Sequence, residues 1–381
     1  MNGSPDYSRK SRGRGFSVFL GIILLVIAVL AVLVGRGTIA MPKLFGSSNL
    51  TEVRAVIGSE KKEFFEDLEV IEAFADHGFE VNVDTAGSRR IATDVDLSPY
   101  DFAFPSSAPA AQKISEANST TGRFTPFYSP MAVATFGTIT DMLETKGIVS
   151  NVGGTDTIDL GALLNETQAG TRWSELSPNY QSNRVVQIST TDVRTSNSAA
   201  MYLSMMSWVK NGGKTVSSTA EADAIIPELS QLFVGQGYTE STSAGPFDEY
   251  LSQGMGSKPM VMIYEAQFLA EQNKENSRIS GDMELVYPSP TVYSTHTVVS
   301  LSDAGAEIGE LLETDETLQQ LAVKHGFRPK NSAMIADAGM TDRMPNNLNV
   351  IDPPDYDFLE RLIDGVGASY SAAPAEEDTD L

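Results

Sequence analysis

The stretch EVRAVIGSEKKEFFEDLEVIEAFADHGFEVNV, residues 52–83, decides the fold class. Residues 53–57 are a short apolar run of β-type residues that stops at Gly58-Ser59. Residues 60–77 then place apolar side chains at Phe64, Leu68, Ile71, Phe74 and Ala75, a helical spacing. Their first turn is acidic, which suits the positive end of a helix dipole. Gly78 closes that helix, and 79–83 reads as a second strand. Working outward, YDFAF (100–104) is a third short strand that ends at Pro105-Ser106-Ser107, and 108–117 reads as a helix. Strand and helix in alternation predict an α/β fold with parallel strands.

Further along, FTPFYSPMAVATF (124–136) is a long extended run, because Pro126 and Pro130 disfavour a helix. Helical patterns follow at 139–144 and 160–165. Residues 185–189 read as a strand, 190–198 as a polar turn rich in hydroxyls, and 199–210 as a helix closed by Gly212-Gly213. Residues 260–264 form another short buried strand. Residues 283–287 and 292–301 are extended around Pro288 and Pro290, and helices follow at 304–312 and 316–325. From Ser371 the chain is small and acidic, a composition that predicts disorder over 371–381.

Residues 16–34 carry no charge. At ~1.5 Å per residue, such a run nearly spans a ~30 Å hydrocarbon core. Arg9, Lys10, Arg12 and Arg14 precede it, so the positive-inside rule leaves 1–15 as a basic cytoplasmic tail, makes 16–35 a transmembrane anchor and puts the rest outside the cell membrane. A cleaved signal peptide ending at Thr38-Ile39-Ala40 is the competing reading, although the run exceeds the ~7–15 residues of a signal core. The chain has 381 residues, a net charge of -23 and no cysteine. The charge opposes a nucleic-acid surface. The missing cysteine removes disulfides, thiolate metal sites, cysteine nucleophiles and a lipid-modified cysteine anchor.

Candidate chemistry lies at the strand ends. Gly58-Ser59, Ser106-Ser107 and 190–198 put hydroxyls where strands give way to helices, and Gly87-Ser88-Arg89 does so after the second strand with a full positive charge. Open α/β sheets bind ligands at the carboxyl ends of their strands, where helix N-termini offer free amides. Each of these serines also serves as an ordinary helix cap. Arg194 adds a second cation near the hydroxyl-rich turn. Catalytic readings are weaker. Ser59-Glu60-Lys61-Lys62 has the S-x-x-K spacing of penicillin-recognising enzymes, but Ser196-Asn197-Ser198 and Gly213-Lys214-Thr215-Val216 lack the order of the companion elements, and Lys61 and Lys62 read as solvated. His77 and His325 precede glycines at helix ends, which leaves His296 as the one histidine worth testing. No G-x-S-x-G, clustered histidine or EF-hand-like loop occurs, although carboxylate-only Ca²⁺ binding stays open in so acidic a chain.

Several stretches taken in order resemble the type II periplasmic solute-binding proteins. VIGSEKKEFFEDLEVIEAF, GSRRIA and DFAFPSS are similar to the first lobe of that family, and FYSPMAVATF to its lobe-crossing strand. ISTTDVRTSNSAAMYLSMMSW resembles the second-lobe binding loop and helix, VYPSPTVYSTHTVVSL the return crossover, and LQQLAVKHGFRP the terminal helical region. The resemblance covers most of 52–329. It implies a bilobal domain over 50–365 with two crossover strands, lobe I being 50–130 and 289–365 and lobe II 131–288. Hinges would fall at Thr135-Phe136 and near Pro288–Pro290. Ligand-binding residues would be Ser59, Ser88 and Arg89, Ser106 and Ser107, Thr195, Ser196 and Ser198, with Tyr264 closing one wall. The implied function is non-enzymatic capture of a small polar solute or anion, without cofactor or metal, for an ABC-type permease or a sensor protein. A partner-binding scaffold that has kept the fold is the alternative.

Overall fold

A computed structural model describes residues 50–236 and 240–372. β1 (Thr51–Ile57) runs parallel to β2 (Phe79–Thr85) and to β3 (Phe102–Phe104), as the alternation predicts. The link from β1 to β2 differs from the single helix expected. It is a 3-10 turn at Ser59–Lys61, a short helix at Lys62–Glu66 and a second helix at Leu68–Asp76. Asp67 is extended, and its carboxylate caps the second helix by accepting the Glu69 amide at 2.9 Å. That break resets the helical phase. Phe64, Phe65, Val70, Ala73 and Phe74 are buried, whereas Leu68 and Ile71, expected on the apolar face, are exposed. The 3-10 turn also rotates Lys61 into the interior, where it is fully buried rather than solvated.

β4 (Gly122–Phe136) is shared by two halves of the fold. Up to Pro130 it pairs antiparallel with β9 (Tyr293–Ser300); from Met131 on it pairs with β7 (Val261–Tyr264), and from Val133 with β8 (Met283–Ser289) as well. β10 (Arg328–Pro329) joins the early part of β4, β6 (Thr155–Asp159) runs parallel to β8, and β5 (Val149–Val152) pairs with β6. The strand order is β2-β1-β3-β9-β4-β8-β6-β5. Each half has its own core. The first is rich in phenylalanine (Phe64, Phe65, Phe74, Phe102, Phe104, Phe127, Phe327), and the second gathers Trp173, Tyr202, Phe233, Phe247 and Tyr250.

The register corrects three expectations. The forward crossing lies at Pro130–Met131. Thr135 and Phe136, expected to be the hinge, pair with Glu284 and Met283 inside the second half and are buried. Residues 185–189 form no strand: Val185 bridges Arg172, and Ser189 bridges Val261, so two different partners interrupt any ladder. The C-terminal helix Tyr356–Ala372 does not go with the first half, as 289–365 taken as one block would require. Leu359, Leu362, Ile363 and Val366, an i, i+3, i+4, i+7 stripe, enter the second core. The return crossing falls between β8 and β9, near the expected prolines. A further crossing was not expected: helix Glu265–Gln272 follows β7, yet Ala266 packs in the first core and its amide donates to Ser129 Oγ at 3.1 Å.

Among the described residues no helix is long and apolar enough to cross a membrane. The expected anchor at 16–35 lies outside the described residues, as does most of the acidic tail from Ser371.

Candidate functional site

β1 and β3 end side by side, and the loops that leave them meet in one buried network. After β1 come Gly58, Glu60 and Lys61; after β3 comes Ser106. Lys61 Nζ donates to the Glu60 carboxylate, to Ser106 Oγ at 2.9 Å and to His296 Nδ1 at 3.1 Å. Ser106 Oγ donates to Glu60 and receives Ser88 Oγ at 3.0 Å, while Ser88 Oγ accepts the Ser106 amide at 2.8 Å. The protons balance. An ammonium spends its three hydrogens on three acceptors, and each hydroxyl both donates and accepts. Lys61 and His296 are fully buried, and the Glu60 side chain is 4% exposed. The Lys61 ammonium also lies 4.8 Å from the Phe104 ring centre.

Burial lowers the pKa of Lys61, and the neighbouring Glu60 carboxylate works in the opposite direction. His296 is driven well below the ordinary imidazole value by burial and then by the Lys61 charge, so it is neutral. Since Nδ1 accepts from Lys61, the ring proton sits on Nε2, and that buried nitrogen has no hydrogen-bond partner. As arranged, Lys61 has no lone pair to act as a base toward Ser106, and the Ser106 proton is directed at Glu60.

The second half closes over this network. Asn197, the first residue of helix Asn197–Lys210, places its side-chain amide within reach of Ser106 O (3.2 Å), Tyr264 OH (3.1 Å) and Ser294 Oγ (3.3 Å). Gly87 lies so close to the opposite loops that a Cβ there would come within 2.5 Å of Thr195 O and 3.0 Å of Ser241 O. Between the halves remains a cavity of about 10 Å³, lined by Ser59, Glu60, Ser88, Ser196, Ser241, Tyr264 and their neighbours. That is the space of about one water molecule. The halves are therefore shut, and any larger solute needs them to part. A larger cavity of about 540 Å³, lined in part by Arg172, Arg184 and Lys258, opens on the second half away from these strand ends. Each guanidinium there donates through Nη1 to one backbone carbonyl, Arg172 to Asn183 and Arg184 to Ser257.

The residues named from sequence divide accordingly. Ser59, Ser88, Ser196 and Tyr264 line the cavity, and Ser106 lies just behind it in the network. Ser107 caps helix Ala108–Ala117 by accepting the Ala110 amide at 3.4 Å. Thr195 contributes its backbone carbonyl against Gly87, and Ser198 bonds Thr191 and Ser196 hydroxyls beneath the loop. Neither arginine faces the cavity as a free cation. Arg89 makes a two-pronged pair with Glu360 and donates to Arg194 O, and Arg194 pairs with Asp192 and lies over Tyr370. Sequence reasoning missed Glu60, Lys61, Asn197 and Ser294. Lys61 comes soon after a strand-ending glycine, and a charge inside so tight a turn was the available signal. Among the described residues no group of three or more histidines or carboxylates is placed to hold a metal ion.

No family model matches the chain, and no curated protein does. Solved structures do. The sulfate-binding protein SubI from Mycobacterium tuberculosis H37Rv aligns over 85% of this chain and 100% of its own, with a TM-score of 0.52 and 18% identity. A periplasmic thiamin binding protein aligns over 85% and 98%, with a TM-score of 0.56 and 12% identity. The periplasmic binding protein AfuA from Actinobacillus pleuropneumoniae, with exogenous fructose-6-phosphate bound, covers 84% and 99% at a TM-score of 0.55 and 13% identity.

Proposed function

Taking the mixed α/β fold of the periplasmic solute-binding proteins as the premise, we propose that this chain is an extracytoplasmic, non-enzymatic binding protein. It captures a small polar solute between two lobes that open and close about β4 and the β8–β9 link. Residues 16–35 tether it to the cell membrane, and the captured solute is passed to an ABC-type permease or reported to a sensor protein. The observation that carries this reading is the cavity where the two halves meet, walled by hydroxyls from both: Ser59 and Ser88 from one, Ser196, Ser241 and Tyr264 from the other. It lies at the carboxyl ends of the strands, where open α/β sheets take ligands. Asn197 supports the same reading, because a single side chain there bonds groups on both sides of the cleft. The networked Lys61 and Ser106 favour binding over catalysis.

Calorimetric titration of the purified chain against oxyanions, amino acids, polyols and polyamines tests it. One class binds, and at ~100 times its dissociation constant it adds about 2.7 kcal/mol to stability. Asn197→Ala weakens that solute by about tenfold or more, the equivalent of 1.4 kcal/mol, with the fold intact by circular dichroism. If no class binds, the shut cavity belongs instead to a scaffold that docks a protein partner.

A further inference from the structure

We infer that Glu60 is a displaceable internal counter-ion: its carboxylate occupies an oxyanion seat on Lys61 and Ser106, and an oxyanionic solute takes that seat by swinging Glu60 out into the cleft. This rests on the solute-binding reading and names the solute class.

Three observations converge. First, the strand-end donors of the first half are spent on Glu60. Lys61 Nζ and Ser106 Oγ both donate to its Oε1, and Ser88, on the cavity wall, donates to Ser106. With Arg89 and Arg194 paired elsewhere, Lys61 is the cation set directly behind the cavity wall, and its charge is cancelled from within the chain. Second, the seat is shaped for a carboxylate-sized group. A Cβ on Gly58 would lie 2.5 and 2.7 Å from the two Glu60 oxygens and 2.5 Å from Ser106 Oγ, so the glycine leaves the volume in which the oxygens sit. Third, Glu60 itself forms part of the cavity wall, on a 3-10 turn at its rim, while Lys61 and His296 lie fully enclosed behind it. Of the two partners, Glu60 borders the cavity and Lys61 does not.

A buried ion pair costs several kcal/mol of desolvation per ion and is a weak source of stability. A pair placed against a ligand cavity, with one carboxylate able to leave, instead keeps a buried cation compensated while no solute is present. The exchange conserves charge: an anion enters, the Glu60 carboxylate regains water, and Lys61 stays paired throughout. Lys61 and Ser106 converge on one carboxylate oxygen, so an oxyanion fits the seat by placing one of its oxygens where Glu60 Oε1 now sits. The released Glu60, now in the cleft, repels a second anion.

The test uses the full chain, with sulfate and acetate as probes and chloride as the control. Glu60→Ala empties the seat and leaves Lys61 without its counter-ion. The expected result is that sulfate or acetate binds this variant at least about tenfold more tightly than the parent chain, a gain equal to 1.4 kcal/mol, and raises its melting temperature where chloride does not. Adding Lys61→Met removes the gain. Should Glu60→Ala fold only in the presence of anion, its refolding yield in sulfate against chloride gives the same reading. Glu60→Gln, which keeps the shape and loses the charge, gains an intermediate amount. The inference is overturned if Glu60→Ala folds and binds neither anion better than the parent, or if Lys61→Met leaves the gain intact. Failure of the wider reading looks different: the parent chain then binds no solute of any class, whatever Glu60→Ala does.

Discussion

Two ion pairs with both partners almost wholly buried stand out among the described residues, and they sit differently with respect to the cavity. Glu265 and Arg328 form a two-pronged pair, with Arg328 Nε and Nη2 each at 2.6 Å from the carboxylate. Tyr287 OH donates to the same carboxylate at 2.5 Å, and Arg328 Nη1 donates to Pro345 O at 2.9 Å. That pair joins the start of helix Glu265–Gln272 to β8 and β10, which belong to opposite halves, and neither partner lines the shut cavity. Glu60 and Lys61 also pair, but one member lines the cavity and the adjoining His296 keeps a buried Nε2 without a partner. A pair set away from the cavity acts as a joint that holds the crossings in place. A pair with one member on the cavity wall and an unpartnered imidazole nitrogen beside the other is placed to respond to what enters.

The largest effect should come from breaking the pair set away from the cavity. Burial pushes the Glu265 carboxyl above its ordinary value, and Arg328 only partly offsets this. Arg328→Met therefore leaves a carboxylate with a tyrosine for support, and the expected loss is about 3–5 kcal/mol in denaturant unfolding. The contrast between the two pairs sharpens with anions. Sulfate should rescue Glu60→Ala and do nothing for Glu265→Ala, because the shut cavity does not reach Arg328. Equal rescue of both variants would erase the distinction between joint and site.

The same contrast shows how far the sequence could be read. β1, β2 and β3 and their hydroxyl-bearing ends were legible, since glycine, proline and serine punctuate β1 and β3 just where the backbone turns into a helix; β5, β6 and β10 were not read, and 185–189 was read as a strand that does not form. Lys61 was not. In Ser59-Glu60-Lys61-Lys62 both lysines look like the solvated first turn of one long helix, and only the 3-10 turn, with the break at Asp67, sends one inward and the other out. That break also turns Leu68 and Ile71 away from the face an unbroken helix would give them. Arg89 looked available because its partner, Glu360, depends on where the C-terminal helix docks, as does the Tyr370 ring beside Arg194; the Asp192 partner of Arg194, two residues back, was within reach of the sequence. Local pattern does not encode that packing of Tyr356–Ala372 against helix Thr219–Val234.

A middle-sized effect is expected at His296. Burial holds the folded imidazole neutral well below its ordinary value of 6.5, with the Lys61 charge adding to the depression. The unfolded chain takes up that proton as pH falls through 6.5, and the folded chain does not. Stability tied to His296 is therefore fully present above pH 6.5 and is lost as pH falls toward the folded value, by at most ~1.4 kcal/mol per pH unit. His296→Gln keeps an acceptor for Lys61 and removes the titration. Relative to that variant, the parent should lose about 1 kcal/mol between about pH 6.5 and 5.5. Parallel pH–stability curves for the two proteins would mean that the imidazole is reached by water and is not part of the buried network.

The smallest effect in energy concerns a charge pair that joins the halves in partial contact with solvent. Arg89 spans from helix Ser88–Thr93 to Glu360 on the C-terminal helix, and its Nε donates to Arg194 O at 3.1 Å. Its side chain is 13% exposed and that of Glu360 is 21%, so solvent screening keeps the pair near about 1 kcal/mol. Arg89→Ala should leave the melting temperature within about a degree or two, since neither core loses a side chain. On the proposed opening and closing of the lobes, the change falls on the balance between shut and open forms. About 1 kcal/mol removed from the shut form alters that ratio roughly fivefold, which small-angle scattering reads as a larger radius of gyration without solute and a return to the parent value with it. Lowered stability with unchanged dimensions would instead place Arg89 with Arg328, as a joint of the fold and not a latch on the cleft.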